Sequence, residues 1–191
     1  MRIFIAVLIL IFSFQSWTKA EDISEFEIEG ISIGDSLLDH VSKNFIEQRI
    51  EAGFIYPNSK KFSIIPISVD NSEMYSDLNI GIKPSDSKYI IHTINAFVSK
   101  NLEECLIMKK KIVKEIFSMI PNIKSNSYED NYLGNFGNSK AYVDHFYLEN
   151  GMIRTWCDVW DKNLDQNWKN SLNVASGSSE WDDFLKHEAY K

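Results

Sequence analysis

Apolar residues recur every three or four positions in three stretches of the chain, a spacing that places them on one face of a helix. The first stretch begins after Asp35 and Ser36, either of which would cap the first free amides. The second begins after Asn101, where Glu104 completes a capping-box pattern, and it ends at Pro121. The three predicted helices span about 35–50, 102–120 and 179–187.

Other stretches alternate apolar and polar residues or are continuously apolar, as strands are. Before the long helix, the sequence predicts a strand whose Pro66 lies at a sheet edge or a bulge, and then a hairpin. After that helix, Asn122–Asn138 is rich in Asn, Ser and Gly and predicts a surface loop, whereas Asn150-Gly151 predicts a two-residue type I′ turn. The six predicted strands are Phe62–Val69, Leu78–Ile82, Tyr89–Val98, Ala141–Glu149, Met152–Trp160 and Trp168–Ala175.

The resulting order, αβββαβββα, predicts an α+β fold in which helices pack on one face of a mostly antiparallel sheet. A turn at Asn150-Gly151 would place Asp144 opposite Cys157 and Phe146 opposite Thr155. Alternation along this hairpin assigns one of its faces to the core: Tyr142, Phe146, Leu148, Ile153, Cys157 and Val159. The other face has His145 opposite Trp156 and Tyr147 opposite Arg154, with Trp160 beyond them.

The chain begins with Arg2 and an unbroken apolar run over residues 3–12, which is the pattern of a secretory signal peptide. Because spanning a bilayer takes about 20 apolar residues, we expect cleavage after Ala20, with an uncleaved signal anchor as the alternative. A signal peptide over residues 1–20 leaves a single domain over 21–191. The expected location is periplasmic or secreted, with no membrane contact after cleavage.

The net charge of the chain is −7 at pH 7, and loss of Arg2 and Lys19 with the leader makes the remainder more acidic. An acidic surface repels phosphate, so a nucleic-acid partner is not expected.

Two cysteines in an exported chain favour one disulfide, and both Cys105 and Cys157 lie on faces assigned to the core. The sequence therefore predicts a bridge between them, with two buried free thiols as the alternative. A nucleophilic cysteine needs an exposed, electropositive setting, which neither position offers.

Gly34-Asp35-Ser36-Leu37 matches the signature of GDSL-type esterases, in which the serine is the nucleophile. Those enzymes also carry a later Gly-x-Asn-Asp block and a late Asp-x-x-His pair, and neither occurs here. Asp183 and His187 are separated by one residue too many. The sequence therefore favours a helix cap at Ser36 and predicts no catalytic residues.

Asp161, Asn163 and Asp165 have the alternate spacing that opens an EF-hand loop. The pattern then fails, because the sixth position is Gln166 instead of Gly and the twelfth is Leu172 instead of Glu. We expect a polar loop there, with no metal and no cofactor. The histidines show no paired spacing that indicates a zinc site; they are His40, His92, His145 and His187.

Three segments carry a resemblance: Gly30-Ile31-Ser32-Ile33-Gly34-Asp35-Ser36-Leu37-Leu38, Glu104-Cys105, and the late Cys157 with Trp168. On these residues the chain resembles a group of small exported proteins of marine bacteria, over most of its length after the leader. This resemblance brings no activity with it. A glycine-led short helix followed by strands is also similar to small periplasmic folds of the outer-membrane assembly lipoprotein and β-lactamase-inhibitor-like type, which bind proteins. Lipid anchoring does not follow, because there is no Cys at the cleavage point.

The aromatic hairpin face suggests recognition, because Trp, Tyr and Arg are enriched at interaction hot spots. Its candidate binding residues are Tyr147, Arg154, Trp156 and Trp160. The alternative is that the Asn122–Asn138 segment or the C-terminal helix covers this face. The sequence favours a non-catalytic binding or interaction module with a protein partner or a small ligand; the alternative is a secreted serine hydrolase that uses Ser36.

Overall fold

The structure is a computed structural model that describes residues 22–52, 54–57, 59–68, 74–75, 77–165 and 167–190. The predicted signal peptide and its cleavage after Ala20 lie outside the described residues. Within those ranges, no helix is long and apolar enough to cross a membrane.

Most of the described residues belong to helices and strands whose type was predicted from the sequence. The helices are α1 (Lys43–Ala52), α2 (Leu102–Met119) and α3 (Ser179–His187). The strands are β1 (Glu27–Ile28), β2 (Ile31–Ser32), β3 (Phe54–Tyr56), β4 (Ser59–Ser68), β5 (Asp77–Ile82), β6 (Ile91–Ser99), β7 (Lys124–Asn131), β8 (Lys140–Leu148), β9 (Gly151–Val159) and β10 (Ser171–Ser178).

β1 and β2 form a small hairpin, and the other strands form one antiparallel sheet in the order β3-β4-β5-β6-β10-β9-β8-β7. The predicted α+β fold, an antiparallel sheet with helices packed against it, is confirmed. The last strand, β10, lies in the middle of the sheet between β6 and β9. Its residues Leu172–Gly177 are buried.

Each face of the sheet carries its own apolar cluster. The larger cluster packs α1 and α2 against one face and includes the fully buried Ile46, Ile116 and Phe146. The smaller cluster packs α3 against the other face and is built around Phe62, Met152, Trp181 and Phe184, with Tyr56 and Ala189. The prediction that the helices pack on one face is therefore correct for α1 and α2 and wrong for α3, which lies on the opposite face, where its own apolar side chains meet Phe62 and Met152.

The predicted disulfide between Cys105 and Cys157 is confirmed. It joins the first turn of α2 to β9, with 5.9 Å between the two Cα atoms. Both cysteines are buried. A disulfide in this position is consistent with an oxidising compartment. The helix start is also as predicted, because the Asn101 side chain accepts a hydrogen bond from the Glu104 amide at 3.0 Å.

The first predicted helix, over about 35–50, is wrong at its start. The chain forms a separate 3-10 turn at Leu37–Asp39 before α1 begins. The Asp35 carboxylate accepts a hydrogen bond from the Ser32 amide at 2.9 Å, and Ser36 pairs as an isolated bridge with Ile90 beside β6. These contacts hold the backbone extended at Ser36, so a helix cannot run through it.

The surface-loop prediction is wrong for Lys124–Asn131, which forms the edge strand β7. This segment contains only polar residues and Tyr128, so it lacks the apolar alternation that indicates a strand. Its backbone pairs with β8 along its whole length. Polar side chains on both faces suit an edge strand, because they remain in water and discourage further pairing.

The β8–β9 turn is formed by Glu149 and Asn150, one residue earlier than predicted, because Leu148 pairs with Gly151. Gly151 is buried within β9. A Cβ atom there would lie 2.5 Å from the carbonyl oxygen of Gly177. The glycine therefore allows a close approach of two backbones and does not form the turn, which is why the predicted type I′ turn is wrong.

This earlier turn shifts the hairpin register by two residues, so each side chain keeps its predicted face while its cross-strand partner changes. Asp144 lies opposite Thr155 instead of Cys157. The other observed pairs include Tyr142 with Cys157, Val143 with Trp156, His145 with Arg154, Phe146 with Ile153 and Tyr147 with Met152.

Candidate functional site

The face of the sheet that α3 covers only in part holds a cavity of about 230 Å³. We call it the sheet-face cavity. Its floor comes from the central strands and one of its walls from α3. The residues that define it are Asn95, Arg154, Trp156 and Ala175 on the floor and Trp181 and Leu185 on the wall.

A single row of five side chains crosses this face of the sheet, and four of the five line the cavity. Residues directly opposite each other on paired strands point to the same face of the sheet. The register aligns five such positions on β5, β6, β10, β9 and β8: Asn79, Asn95, Ala175, Arg154 and His145. We call this line the cross-strand row; it is polar except for Ala175.

Three side chains of the cross-strand row carry a buried polar atom with no hydrogen-bond partner among the described residues. These atoms are Oδ1 of Asn95, Nε of Arg154 and Nε2 of His145. Leaving a buried donor or acceptor unsatisfied costs about 1–3 kcal/mol each, and native structures contain few such groups. Their alignment on the face that carries the cavity makes the cross-strand row the candidate site.

Arg154 is half-buried and forms no ion pair in the part of the chain that the structure describes. Its guanidinium carbon lies 4.9 Å from the centre of the Trp156 ring. Such a cation–π contact is worth about 0.5–2 kcal/mol and does not neutralise the charge. The net charge of the chain is −7, yet Arg154 at this cavity has no acidic ion-pair partner among the described residues.

Trp156 is held in place by the buried carboxylate of Asp158. The indole Nε1–H donates a hydrogen bond to Asp158 at 3.1 Å. The same carboxylate accepts hydrogen bonds from Tyr132, Ser171 and Asn173. Burial raises the pKa of Asp158, and the four donated hydrogen bonds oppose that rise. This network fixes the indole plane on which Arg154 rests.

His145 lies beside Arg154 at the end of the cross-strand row. Burial first, and then the Arg154 charge, lower the pKa of His145, so its imidazole is neutral at pH 7. Its ring stacks on Tyr147 with 4.4 Å between the ring centres. His145 therefore adds a hydrogen-bonding nitrogen to the row without adding a second positive charge.

The structure brings together two of the four predicted binding residues. Arg154 and Trp156 both line the sheet-face cavity. Tyr147 is on the same sheet face but stacks on His145 at the rim. Trp160 lies in a separate aromatic cluster, with ring centres 4.7 Å from Tyr132 and 4.4 Å from Trp168.

The two segments that we considered as covers for this face each reach only one end of it. α3 packs over Met152 at one end. At the other end, Tyr132 and Phe136 pack against Trp160. The middle of the face, with Arg154 and Trp156, forms the cavity between these two covers.

The α3 wall is positioned by contacts with the sheet below it. Trp181 packs directly on the backbone at Gly177, where a Cβ atom would lie 2.9 Å from its ring. Ser178 caps the helix by accepting a hydrogen bond from the Trp181 amide at 3.2 Å. Glu180 then pairs with Lys83 at 2.6 Å and Lys61 at 3.6 Å. The wall is therefore anchored at its start and along its apolar face.

Asn79, Asn95 and Ala175 line the cavity but were not predicted from the sequence as site residues. A signal was present, because Asn79 and Asn95 interrupt otherwise apolar strands on the face opposite the core. Which strands lie next to each other, however, cannot be read from either strand alone.

Ser36 has the surroundings of a cap. Its hydroxyl oxygen accepts a hydrogen bond from the Leu38 amide at 3.2 Å, and the hydroxyl itself donates to the Lys88 carbonyl at 2.7 Å. A nucleophilic serine would instead donate its proton to a base. These two bonds tie the 3-10 turn to the loop before β6.

We expect Ser36→Ala to lower the free energy of unfolding by about 0.5–2 kcal/mol, because both the cap and the bond to Lys88 are lost. Urea unfolding of the oxidised protein measures the change. Ser118→Ala is the matched control, since Ser118 is exposed on α2 and alanine favours a helix; it should leave stability unchanged or slightly raised. Unaltered stability of Ser36→Ala, together with fluorophosphonate labelling of the parent alone, would show that Ser36 is a nucleophile.

The EF-hand-like segment is engaged in its own turn. The Asp161 carboxylate accepts hydrogen bonds from the amides of Asn138 at 2.8 Å and Asn163 at 2.9 Å. Over the described residues as a whole, no group of three or more His, Cys, Asp or Glu side chains is placed to hold a metal ion.

Searches with this chain find no matching family model, no matching curated protein and no matching solved structure. The chemistry of the sheet-face cavity is therefore the basis on which we assign a function.

Proposed function

We propose that the chain is a non-catalytic binding module, exported to the periplasm or beyond, that holds a small organic ligand in the sheet-face cavity. The observation that carries this proposal is the cross-strand row, whose three buried polar atoms have no hydrogen-bond partner in the described part of the chain. Ligand sites typically combine an apolar lining with a few precisely placed polar groups. Met152, Trp181 and Leu185 supply the apolar lining here.

The shape of the site favours a small ligand over a protein partner. A stable protein interface buries more than about 1,000 Å². Here α3 borders the cavity on one side, and the cluster of Tyr132, Phe136 and Trp160 occupies the other end of the face. A cavity of about 230 Å³ lies below the usual range of roughly 300–1,000 Å³ for drug-sized ligands, so it suits a smaller molecule.

The hydroxyl groups that line the cavity favour binding over catalysis. The Thr93 hydroxyl donates a hydrogen bond to the Ser176 carbonyl at 2.8 Å. Burial raises the pKa of Tyr56, which makes its phenol a weaker acid and keeps it neutral. Neither group is activated as a nucleophile. The predicted signal peptide and the observed disulfide support an exported, oxidising location.

The proposal is tested by filling the cavity with Ala175→Leu. Ala175 is 7% exposed at the centre of the floor, so a leucine side chain there occupies the ligand's space. The probes are benzoate, benzamide, phenylacetate and phenylacetamide, titrated into ¹⁵N-labelled oxidised protein. We expect them to shift the Trp156 indole and Asn95 side-chain signals. Ala175→Leu should weaken this binding roughly tenfold or more, a loss of about 1.4 kcal/mol or more, because the leucine side chain fills the space that the probe would occupy.

Ala52→Leu is the matched control, since Ala52 is exposed at the end of α1, and it should bind the probes like the parent. If none of the four probes shifts these signals in the parent, or if Ala175→Leu binds as well as the parent, the cavity is not a ligand site.

A further inference from the structure

We infer that the ligand of the sheet-face cavity is a small carboxylate with a flat apolar body, whose carboxylate group pairs with Arg154. This inference rests on the proposed binding function and adds the chemical class of the ligand. It follows from the charge of the site, the orientation of the guanidinium and the composition of the walls.

The charge around Arg154 calls for one negative charge. His145 beside it is neutral at pH 7, and the Asp158 carboxylate is already engaged by four donors. On α3, Asp182 and Lys186 pair with each other. Arg154 is therefore the one charged side chain that lines the cavity, and it forms no ion pair with any described carboxylate. A carboxylate balances that charge, whereas a phosphate dianion would leave a second charge in a partly buried site, which is costly.

The shape of the guanidinium suits a carboxylate. Along one edge of an arginine, Nε and one terminal nitrogen can donate the two parallel hydrogen bonds of a bidentate pair. Arg154 Nε is buried and has no hydrogen-bond partner among the described residues, and the guanidinium carbon lies 4.9 Å from the centre of the Trp156 ring. Because Asp158 fixes the Trp156 ring, the orientation of Arg154 is set before the ligand arrives, which lowers the entropic cost of binding.

The rest of the cavity suits an apolar, flat body. Met152, Trp181 and Leu185 line it from β9 and α3, and burial of apolar ligand surface against them favours binding. On the other side of Ala175, the Oδ1 atom of Asn95 has no hydrogen-bond donor among the described residues. Asn95 and Arg154 are two strands apart, roughly 10 Å along the sheet. A one-ring acid fits this span, and a hydroxyl group on its far side would donate to Asn95.

The test compares each acid with its neutral amide, which has nearly the same shape. Benzoate and benzamide, and phenylacetate and phenylacetamide, are titrated at pH 7 into the oxidised full-length protein. We expect each acid to bind roughly ten- to a hundredfold more tightly than its amide, the effect of a charge-assisted bond to arginine. Arg154→Gln should abolish this preference while amide binding persists. Arg154→Lys should retain only part of the preference for acids, because a lysine ammonium cannot donate the two parallel hydrogen bonds that a guanidinium donates.

Arg49→Gln is the matched control, since Arg49 lies on α1 over the Phe45 ring, and it should keep the preference for acids. If acids and amides bind equally and Ala175→Leu blocks both, the cavity binds ligands but the carboxylate assignment is wrong. If inorganic phosphate competes with benzoate at equal concentration, the site accepts anions without the proposed selectivity, which also overturns the inference. Absence of binding by all four probes overturns the proposed function itself.

Discussion

Reduction of the Cys105–Cys157 disulfide lowers the free energy of unfolding by an expected 4 kcal/mol or so. The bridge closes a loop between residues 52 positions apart. In the chain-entropy description, a cross-link of that span removes much of the freedom of the unfolded chain. A loss of this size corresponds to a fall in Tm of about 10 °C for a domain of this length. Thermal and urea unfolding with and without a phosphine reductant measure it.

The Cys105→Ala, Cys157→Ala double variant separates the bridge from other effects of the reductant. It should unfold near the temperature of the reduced parent, and added reductant should leave it unchanged. Thiol titration confirms that reduction of the parent is complete. A fully reduced parent that keeps its original Tm would show that the bridge contributes no net stability.

Phe184→Ala is expected to cost about 3–5 kcal/mol, the range for removing a buried aromatic ring. Phe184 is fully buried and lies at the centre of the smaller apolar cluster. Its ring centre is 5.0 Å from Tyr56, 4.9 Å from Phe62 and 5.7 Å from Trp181. Since this cluster holds α3 on the sheet, the substitution should also weaken probe binding in the sheet-face cavity. Urea unfolding and the benzoate titration report the two effects.

Tyr190→Ala is the matched control for Phe184→Ala. Tyr190 is 66% exposed and has one aromatic neighbour in this cluster, Tyr56, at 5.5 Å, so its loss should cost less than about 1 kcal/mol. If Phe184→Ala does not fold, Phe184→Leu gives the same test with a smaller loss. Equal costs for the two positions would mean that α3 is not held by this cluster, and the cavity would lose its proposed wall.

The sequence identified the elements whose formation depends on neighbouring residues. The stripe from Cys105 to Ile116, with its Asn101 cap, predicts α2 within one residue at its end. Alternation predicts the faces of β8 and β9. The two cysteine positions on those elements then predicted the disulfide correctly, because both side chains had already been assigned to the core.

The local sequence pattern did not predict the structure correctly where a segment's form depends on the distant segment with which it pairs. β7 is polar throughout, and only its pairing with β8 makes it a strand. The turn at Glu149 and Asn150 is set by the packing of Gly151 against Gly177, which are far apart in the chain. The 3-10 turn after Ser36 exists because that residue is bonded to the loop before β6.

The residues of the candidate site also fall into two groups: those predicted from the sequence and those found only in the structure. Arg154 and Trp156 were identified from the sequence, because they alternate onto the face of β9 opposite the core. Asn95 and Ala175 joined them only through the strand order, which places β10 between β6 and β9. The position of α3 on this face was also decided by tertiary contacts. An apolar stripe shows that one side of a helix is buried, but it does not show which surface buries it.

The sequence by itself determined that this chain forms an antiparallel α+β fold with a disulfide between α2 and β9. Hydrophobic periodicity, helix caps and turn residues act over a few neighbouring positions, so they can be recognised in the amino-acid sequence. Only the tertiary structure decided that an unpaired arginine, a neutral histidine and an asparagine share one row beside a cavity. Their assembly depends on the register of five strands, and each register is set by contacts between residues distant in sequence.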